Sequence, residues 1–158
     1  MKAVPRASEK IIDTLAFKLL QDAKANIRDV KLIDTGALRN SGYAETTRTQ
    51  GARLSAQQAA SAAGRTVGRN SGQSNPVQSW ATPSPAPKEG EGKVAFAVEY
   101  AIYWELGFLR FSKNFTGPRM SVRPFLGPAA DQLHKDAPDL TQKIFSRIID
   151  EALKEKKK

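Results

Sequence analysis

From Ser8 to Val30 the apolar positions Ile11, Leu15, Leu19, Ala23, Ile27 and Val30 recur at three- and four-residue intervals, the spacing that lines one face of an α-helix. Ser8 stands where a capping hydroxyl would serve the first unbonded amides, so an amphipathic helix is predicted from there. Asp34 and Gly36 then bring turn chemistry, and the alternation from Ser41 to Thr47 predicts a strand beginning near Leu38. Further along, the period changes within one segment. Val94, Phe96 and Val98 fall on one side and Ala95, Ala97 and Glu99 on the other, as in a strand with a single core face. Beyond Tyr100 the residues Ile102 and Leu106 lie four apart, and Gly107 suits the left-handed position that ends a helix. A strand running into a short helix is expected.

The last third reads as helix punctuated by prolines. Pro128 fits a first turn, whereas Pro138 should break or kink the run, with Asp136 placed to cap a new start. Leu140, Ile144, Ile148 and Ala152, flanked by Phe145, Ile149 and Leu153, then make a broad apolar stripe. The predicted class is α+β: an N-terminal amphipathic helix and a small antiparallel β-sheet, with a short mid-chain helix and a C-terminal helix packed on that sheet.

Between the two strand signals the texture differs. Ala52 to Ala63 carries six alanines in twelve residues, favourable for helix but with little apolar face to bury. Asn70 to Gly92 contains eleven Gly, Pro or Ser in twenty-three residues, and Pro83, Pro85 and Pro87 hold an extended, polyproline-like path. Residues 50–92 therefore read as an arm or loop inserted into a single domain spanning 1–158, flexible until a partner orders it. Trp80, a large aromatic in polar sequence, is a candidate anchor onto a neighbouring surface.

Composition narrows the chemistry. There is no cysteine and one histidine, His134, so neither a disulfide framework nor a His/Cys metal cluster is expected, and no cofactor. The first ten residues lack the apolar core of a signal peptide and no run of about 18 apolar residues occurs, so a soluble protein made in reducing cytosol, without a membrane partner, is expected. Twenty-five Lys and Arg against sixteen acids give a net charge of +9, a balance suited to nucleic acid or an acidic protein partner. Two basic zones carry it: Arg39 to Arg69 with five basic residues against Glu45, and Leu106 to Arg123 with Arg110, Lys113, Arg119 and Arg123 and no acid.

One tetrapeptide raises the question of catalysis. Asp34-Thr35-Gly36-Ala37 after Leu32 and Ile33 has the form in which a retroviral-type aspartic protease presents its carboxylate, and Thr66 to Asn70 echoes that family's second signature. Such an enzyme sets two carboxylates against each other in a homodimer with a rigid β framework and a flap. Here Asp34 follows a long helical pattern, alanine-rich sequence stands where flap hairpins belong, and Asn70 leads into Ser-Gly-Gln-Ser-Asn-Pro rather than an apolar helix. A turn, with Asp34 bonding backbone amides ahead of it, accounts for the tetrapeptide. His134 on a basic helix reads as a surface residue, and Glu91-Gly92-Lys93 lacks the upstream Pro-Asp partner of metal-dependent nucleases. No enzymatic role is expected.

Three segments carry a family pattern. Asp34 to Ser41 ("DTGALRNS") after an N-terminal helix, Tyr100 to Gly107 ("YAIYWELG") in mid-chain, and Arg123 to Ala129 ("RPFLGPA") opening a C-terminal helix resemble, in order and position, the tail-component family of tailed bacteriophages typified by gene product ten of phage HK ninety-seven. Residues from about 50 to 92 lie outside the resemblance. It implies a structural virion protein of the head-tail junction, forming a hexameric or dodecameric ring. Implied partners are the neighbouring connector and the tail-tube or tail-terminator proteins, with DNA passing through the lumen without specific binding. The main alternative, motivated by the net charge and the two basic zones, is a nucleic-acid-binding accessory protein.

On the family reading the fold and assembly residues are Asp34, Thr35, Gly36, Leu38, Arg39, Ser41, Tyr100, Ala101, Tyr103, Glu105, Gly107, Arg123, Pro124, Phe125, Leu126, Pro128 and Ala129. Tyr100, Tyr103 and Leu106 are expected to pack the short helix on the sheet. Phe125 and Leu126 would plug the C-terminal helix against the same core, behind Pro124. Glu105 and Arg39 are candidates for an ion pair within or between subunits. Trp80, Arg110, Lys113 and Arg119 are the candidate interface residues.

Overall fold

A computed structural model of the chain describes residues 3–30, 36–49, 86–98, 101–106 and 123–155. Within them the order is α1 (Ala3–Asp29), α2 (Ala37–Asn40), β1 (Gly42–Thr46), β2 (Gly92–Phe96), α3 (Ala101–Leu106) and α4 (Leu126–Glu155). The predicted α+β class is what the chain adopts. The strands pair antiparallel with Gly42 opposite Phe96 and Thr46 opposite Gly92.

Helix α1 is the shared wall of the structure. Along one side it takes the sheet, and α4 runs antiparallel to it, as three links along their length record: Lys10 with Glu151, Lys18 with Asp136, and Asn26 with the Phe125 carbonyl. The apolar repeat read from the sequence has the right period, and Ala23 and Ile27 are fully buried. The helix starts at Ala3, before the predicted cap Ser8, because Pro5 falls in the first turn, where a missing N–H costs nothing.

Alternation in β2 holds as predicted. Val94 and Phe96 pack with Ala16, Leu20 and Ala44 on the α1 side, while Ala95 and Ala97 meet Tyr43 on the other. What lets α1 lie so close is the smallness of its facing strand residues. A Cβ on Gly42 would come within 2.6 Å of Phe96 and 3.0 Å of Leu20, and one on Gly92 within 2.9 Å of Ile12. Hydrogen bonds lock this register: the Thr46 hydroxyl donates to Asp13 across 2.5 Å, and Arg48 reaches the other Asp13 oxygen at 3.4 Å.

Two expectations about β1 and α4 are corrected. The chain does not enter a strand near Leu38; Gly36 takes φ +75, and Ala37 to Asn40 make one helical turn before the strand begins at Gly42. Ser41 closes that turn, its hydroxyl donating to the Leu38 carbonyl at 2.7 Å and its amide to Ala37 at 2.9 Å. Nor does Pro138 end the C-terminal helix, which continues from Leu126 to Glu155. Pro138 and His134, the residue whose carbonyl it leaves without an amide, are both at the surface, so water can take the place of the lost bond. Asp136 caps no new start; it accepts from Gln132 at 3.0 Å and faces Lys18 at 3.8 Å.

The alanine-rich segment 52–63, Trp80 and most of the proline-rich arm lie outside the described residues. The end of the arm, residues 86–91, is a turn around Gly90 (φ +85), with the Glu91 amide donating to the Lys88 carbonyl. Substituting Gly42 by Val should cost about 1–3 kcal/mol by overpacking. A fall in urea midpoint without a change in slope is the expected reading, and an unchanged midpoint would mean that α1 and the sheet are not in this contact.

Candidate functional site

The described parts of the three resemblance segments, far apart in the chain, meet in one place. Leu38, Ala101, Phe125 and Ala129 join Ala23, Ile27 and Val98 in a single buried cluster, with Trp104 and Leu126 packed against it. Phe125 is its centre, 1% exposed, its ring edge-on to Phe96 at 4.8 Å between centroids and 79° between planes. Behind Pro124, which is itself exposed, Phe125 therefore plugs the start of α4 against sheet and α1 together, as expected of it.

Glu105 holds this junction. Its Oε2 accepts the Phe125 and Leu126 amides, both at 2.9 Å, and its Oε1 accepts the Gly127 amide at 2.7 Å. These N–H groups open α4 and have no carbonyl of their own helix to serve; a carboxylate there satisfies them and meets the positive end of the helix dipole. A Cβ on Gly127 would stand 3.0 Å from Oε1, so a larger residue there would press the carboxylate back by a few tenths of an ångström. The neighbouring segment is tied down as well: the Arg123 amide donates to the Trp104 carbonyl at 3.1 Å and its guanidinium to the Val30 carbonyl at 3.2 Å.

This geometry corrects two sequence readings. Within the subunit Glu105 makes no ion pair with Arg39; its oxygens serve backbone amides. Leu106 does not pack α3 on the sheet, since it is 64% exposed and Ile102 55%. In a six-residue helix that must aim Glu105 inward, the inward side is Ala101, Trp104 and Glu105, which leaves positions 102 and 106 outside. Tyr103 is half-buried, Ser41 is buried, and Pro128 and Arg39 are exposed. Asp34, Thr35, Tyr100, Gly107, Trp80, Arg110, Lys113 and Arg119 lie outside the described residues. Among the described residues no group of three His, Cys, Asp or Glu side chains could hold a metal ion, and no helix is long and apolar enough to cross a membrane.

Sequence reasoning missed Lys24. Its side chain crosses the start of β1, with Cε 2.9 Å from where a Gly42 Cβ would be. Burial, and then the nearby Arg39 cation, push its ammonium below the usual lysine range. Neither residue has an ion pair among the described residues. Only the absence of a side chain at Gly42, eighteen positions away, makes room for it, and no local pattern signals that. A second feature is an apolar stripe left in solvent: Phe145, Ile149 and Leu153 are 48%, 44% and 55% exposed, while Leu140, Ile144 and Ile148 turn toward the body of the subunit and are half-buried.

Comparison of the chain with protein-family models, with curated proteins and with solved structures finds no match.

Replacing Glu105 by Ala should destabilise the protein by about 1–3 kcal/mol, since three amides lose a charged acceptor, and Gln should recover part of the loss. Equal stability of the Ala variant and the wild type in denaturant would remove Glu105 from this role. A lowered folded pKa at Lys24 means that charging the amine opposes folding, a cost present at neutral pH and relieved as pH rises through the folded pKa. Lys24→Met should therefore raise the thermal midpoint at pH 7, and the advantage should shrink toward the ordinary lysine range. A variant equally or less stable at pH 7 contradicts that.

Proposed function

We propose that this chain is a structural virion protein of a tailed bacteriophage, forming a ring at the head-tail junction through contacts between subunits and between rings. One observation carries the reading. The segments that resemble the tail-component family are joined in a single working unit, in which Glu105 from the second holds the opening amides of the third while Leu38 from the first packs on Phe125 and Ala129.

The surface supports the same reading. Ile102 and Leu106 on α3 and Phe145, Ile149 and Leu153 on α4 leave large apolar side chains in solvent, which an assembling subunit covers with its neighbours. The mechanism is assembly rather than turnover. A head-to-tail contact repeated around an axis closes a ring of six or twelve copies, with segments such as the 50–92 arm, anchored by Trp80, ordered across the boundaries. Arg110, Lys113 and Arg119 face acidic surfaces of an adjoining ring; a conduit that gripped phosphates would oppose passage of DNA.

Electron microscopy of the purified protein, alone and mixed with tail tubes or portal-bearing heads, should show rings located at the neck. Reversing the charges of Arg110, Lys113 and Arg119 together should abolish docking while leaving the subunit folded. Intact virus that lacks this polypeptide would end the proposal, and salt-sensitive retention of DNA at sub-micromolar protein would replace it with a nucleic-acid-binding role.

A further inference from the structure

Strand β2 has a free edge. The Ala97 amide donates to the Ser41 carbonyl at 3.0 Å, so in the same register Ala95 and Lys93 turn their backbone groups toward Tyr43 and Glu45 of β1. Those of Gly92, Val94 and Phe96 therefore point the other way, and among the described residues no strand pairs with them. The two edges of the sheet differ in access. β1 is buried along its whole length, whereas in β2 Gly92 is exposed and residues 93–96 are only half-buried. An open row of donors and acceptors on β2 is a template for one more strand.

The chain contains a segment of the complementary kind. In Thr82-Pro83-Ser84-Pro85-Ala86-Pro87 every second residue lacks an N–H, and the residue before each proline is sterically held to extended backbone. As a strand it can pair through Thr82, Ser84 and Ala86 on one edge, while its prolines close the other edge to any further strand. A subunit's own copy of the segment cannot take the β2 edge in the register its turn sets. It reaches β2 through the turn in which the Glu91 amide donates to the Lys88 carbonyl at 3.0 Å, and running back from that turn places Pro87 opposite Gly92, Pro85 opposite Val94 and Pro83 opposite Phe96. Every outward position of β2 would then face a residue with no amide to give. Ala86 and Pro87 accordingly belong to no strand.

We propose that segment 82–87 of one subunit adds as a strand to the β2 edge of the next copy. The inference rests on the ring reading and names a contact that builds it. Backbone bonds to Val94 and Phe96 set the alignment, and an antiparallel strand paired through Thr82, Ser84 and Ala86 turns Trp80 to the same side of the sheet as Phe96, where its ring adds apolar burial. Arm and edge are different surfaces. Each subunit gives one strand and receives one, which is the head-to-tail contact that propagates around an axis, and the prolines keep the added strand from recruiting another.

Two variants remove one side of the contact each. Thr82→Pro with Ser84→Pro strips the arm of pairing donors in sequence already interrupted by proline, and Val94→Pro removes an outward N–H of β2 while leaving those that face β1. Sedimentation velocity and negative-stain microscopy should find the wild type as a closed assembly larger than a dimer, and each variant should need at least tenfold more protein to form it. An equimolar mixture of the two should stop at one-to-one pairs, because two chains then hold one working arm and one working edge between them. Pro83→Ala with Pro85→Ala, on the edge that faces away, should still form the wild-type assembly. Far-UV circular dichroism checks the fold; should Val94→Pro lose it, the two arm variants carry the comparison. If the wild type assembles only on tails or heads, the same comparison is scored on those particles.

A folded Thr82→Pro, Ser84→Pro protein that assembles at the wild-type concentration would overturn this contact and leave the ring reading standing. So would an equal loss of assembly in the Pro83→Ala, Pro85→Ala protein, or a mixture of the two defective proteins that rebuilds the full particle. A wild type that forms no ring alone or on either particle overturns the ring reading and this contact with it.

Discussion

The carboxylate of Glu105 on the first amides of α4 is the constraint around which the rest is arranged. A thirty-residue helix has to begin somewhere, and its opening N–H groups must be served by something other than its own carbonyls. Here they are served from a six-residue helix that follows the second strand, so the position of α4 is dictated by the strand through α3. Phe125 then fills the angle between them, and the Asn26 side-chain amide donates to its carbonyl at 2.9 Å, tying the same corner back to α1. Three parts of the chain thus share one joint.

The second constraint is closeness. A two-stranded sheet cannot form a core by itself, and α1 supplies the missing layer only because Gly42, Ala44 and Gly92 present so little bulk. The same closeness explains Lys24, whose stem lies where a larger strand residue would be. Its ammonium is left partly desolvated next to Arg39. Packing thereby creates a cationic surface that charge counting along the chain does not reveal.

The helices on either side of this joint outlast their core. α4 is tied to α1 by links from Phe125 to Glu151, yet the half beyond Pro138 keeps Phe145, Ile149 and Leu153 in solvent. Among the described residues the buried cluster takes in Phe125 and Ala129 of this end of the chain, with Leu126 packed against it, and Phe145, Ile149 and Leu153 are not part of it. A subunit that places apolar residues in this way fits an assembly whose neighbours cover them, which links the fold to the proposed ring.

Much of this was legible in the linear pattern, and the reason is local physics. The period of α1, the two-faced alternation of β2, the change of period before α3 and the helical character of the last third follow from how side chains project from each backbone form, and each is present. Gly36 was legible as a permissive backbone position for the same reason. Local rules misplaced the boundaries at Ser8, Leu38 and Pro138, where a first-turn proline, a Ser41 hydroxyl and an exposed carbonyl altered the outcome. The partners were decided only in three dimensions. That Glu105 caps a helix beginning twenty-one residues later, that Trp104 rather than Leu106 turns inward, and that Lys24 meets Arg39 across Gly42 depend on which surfaces α1 brings together, and long-range contact leaves no period in the sequence.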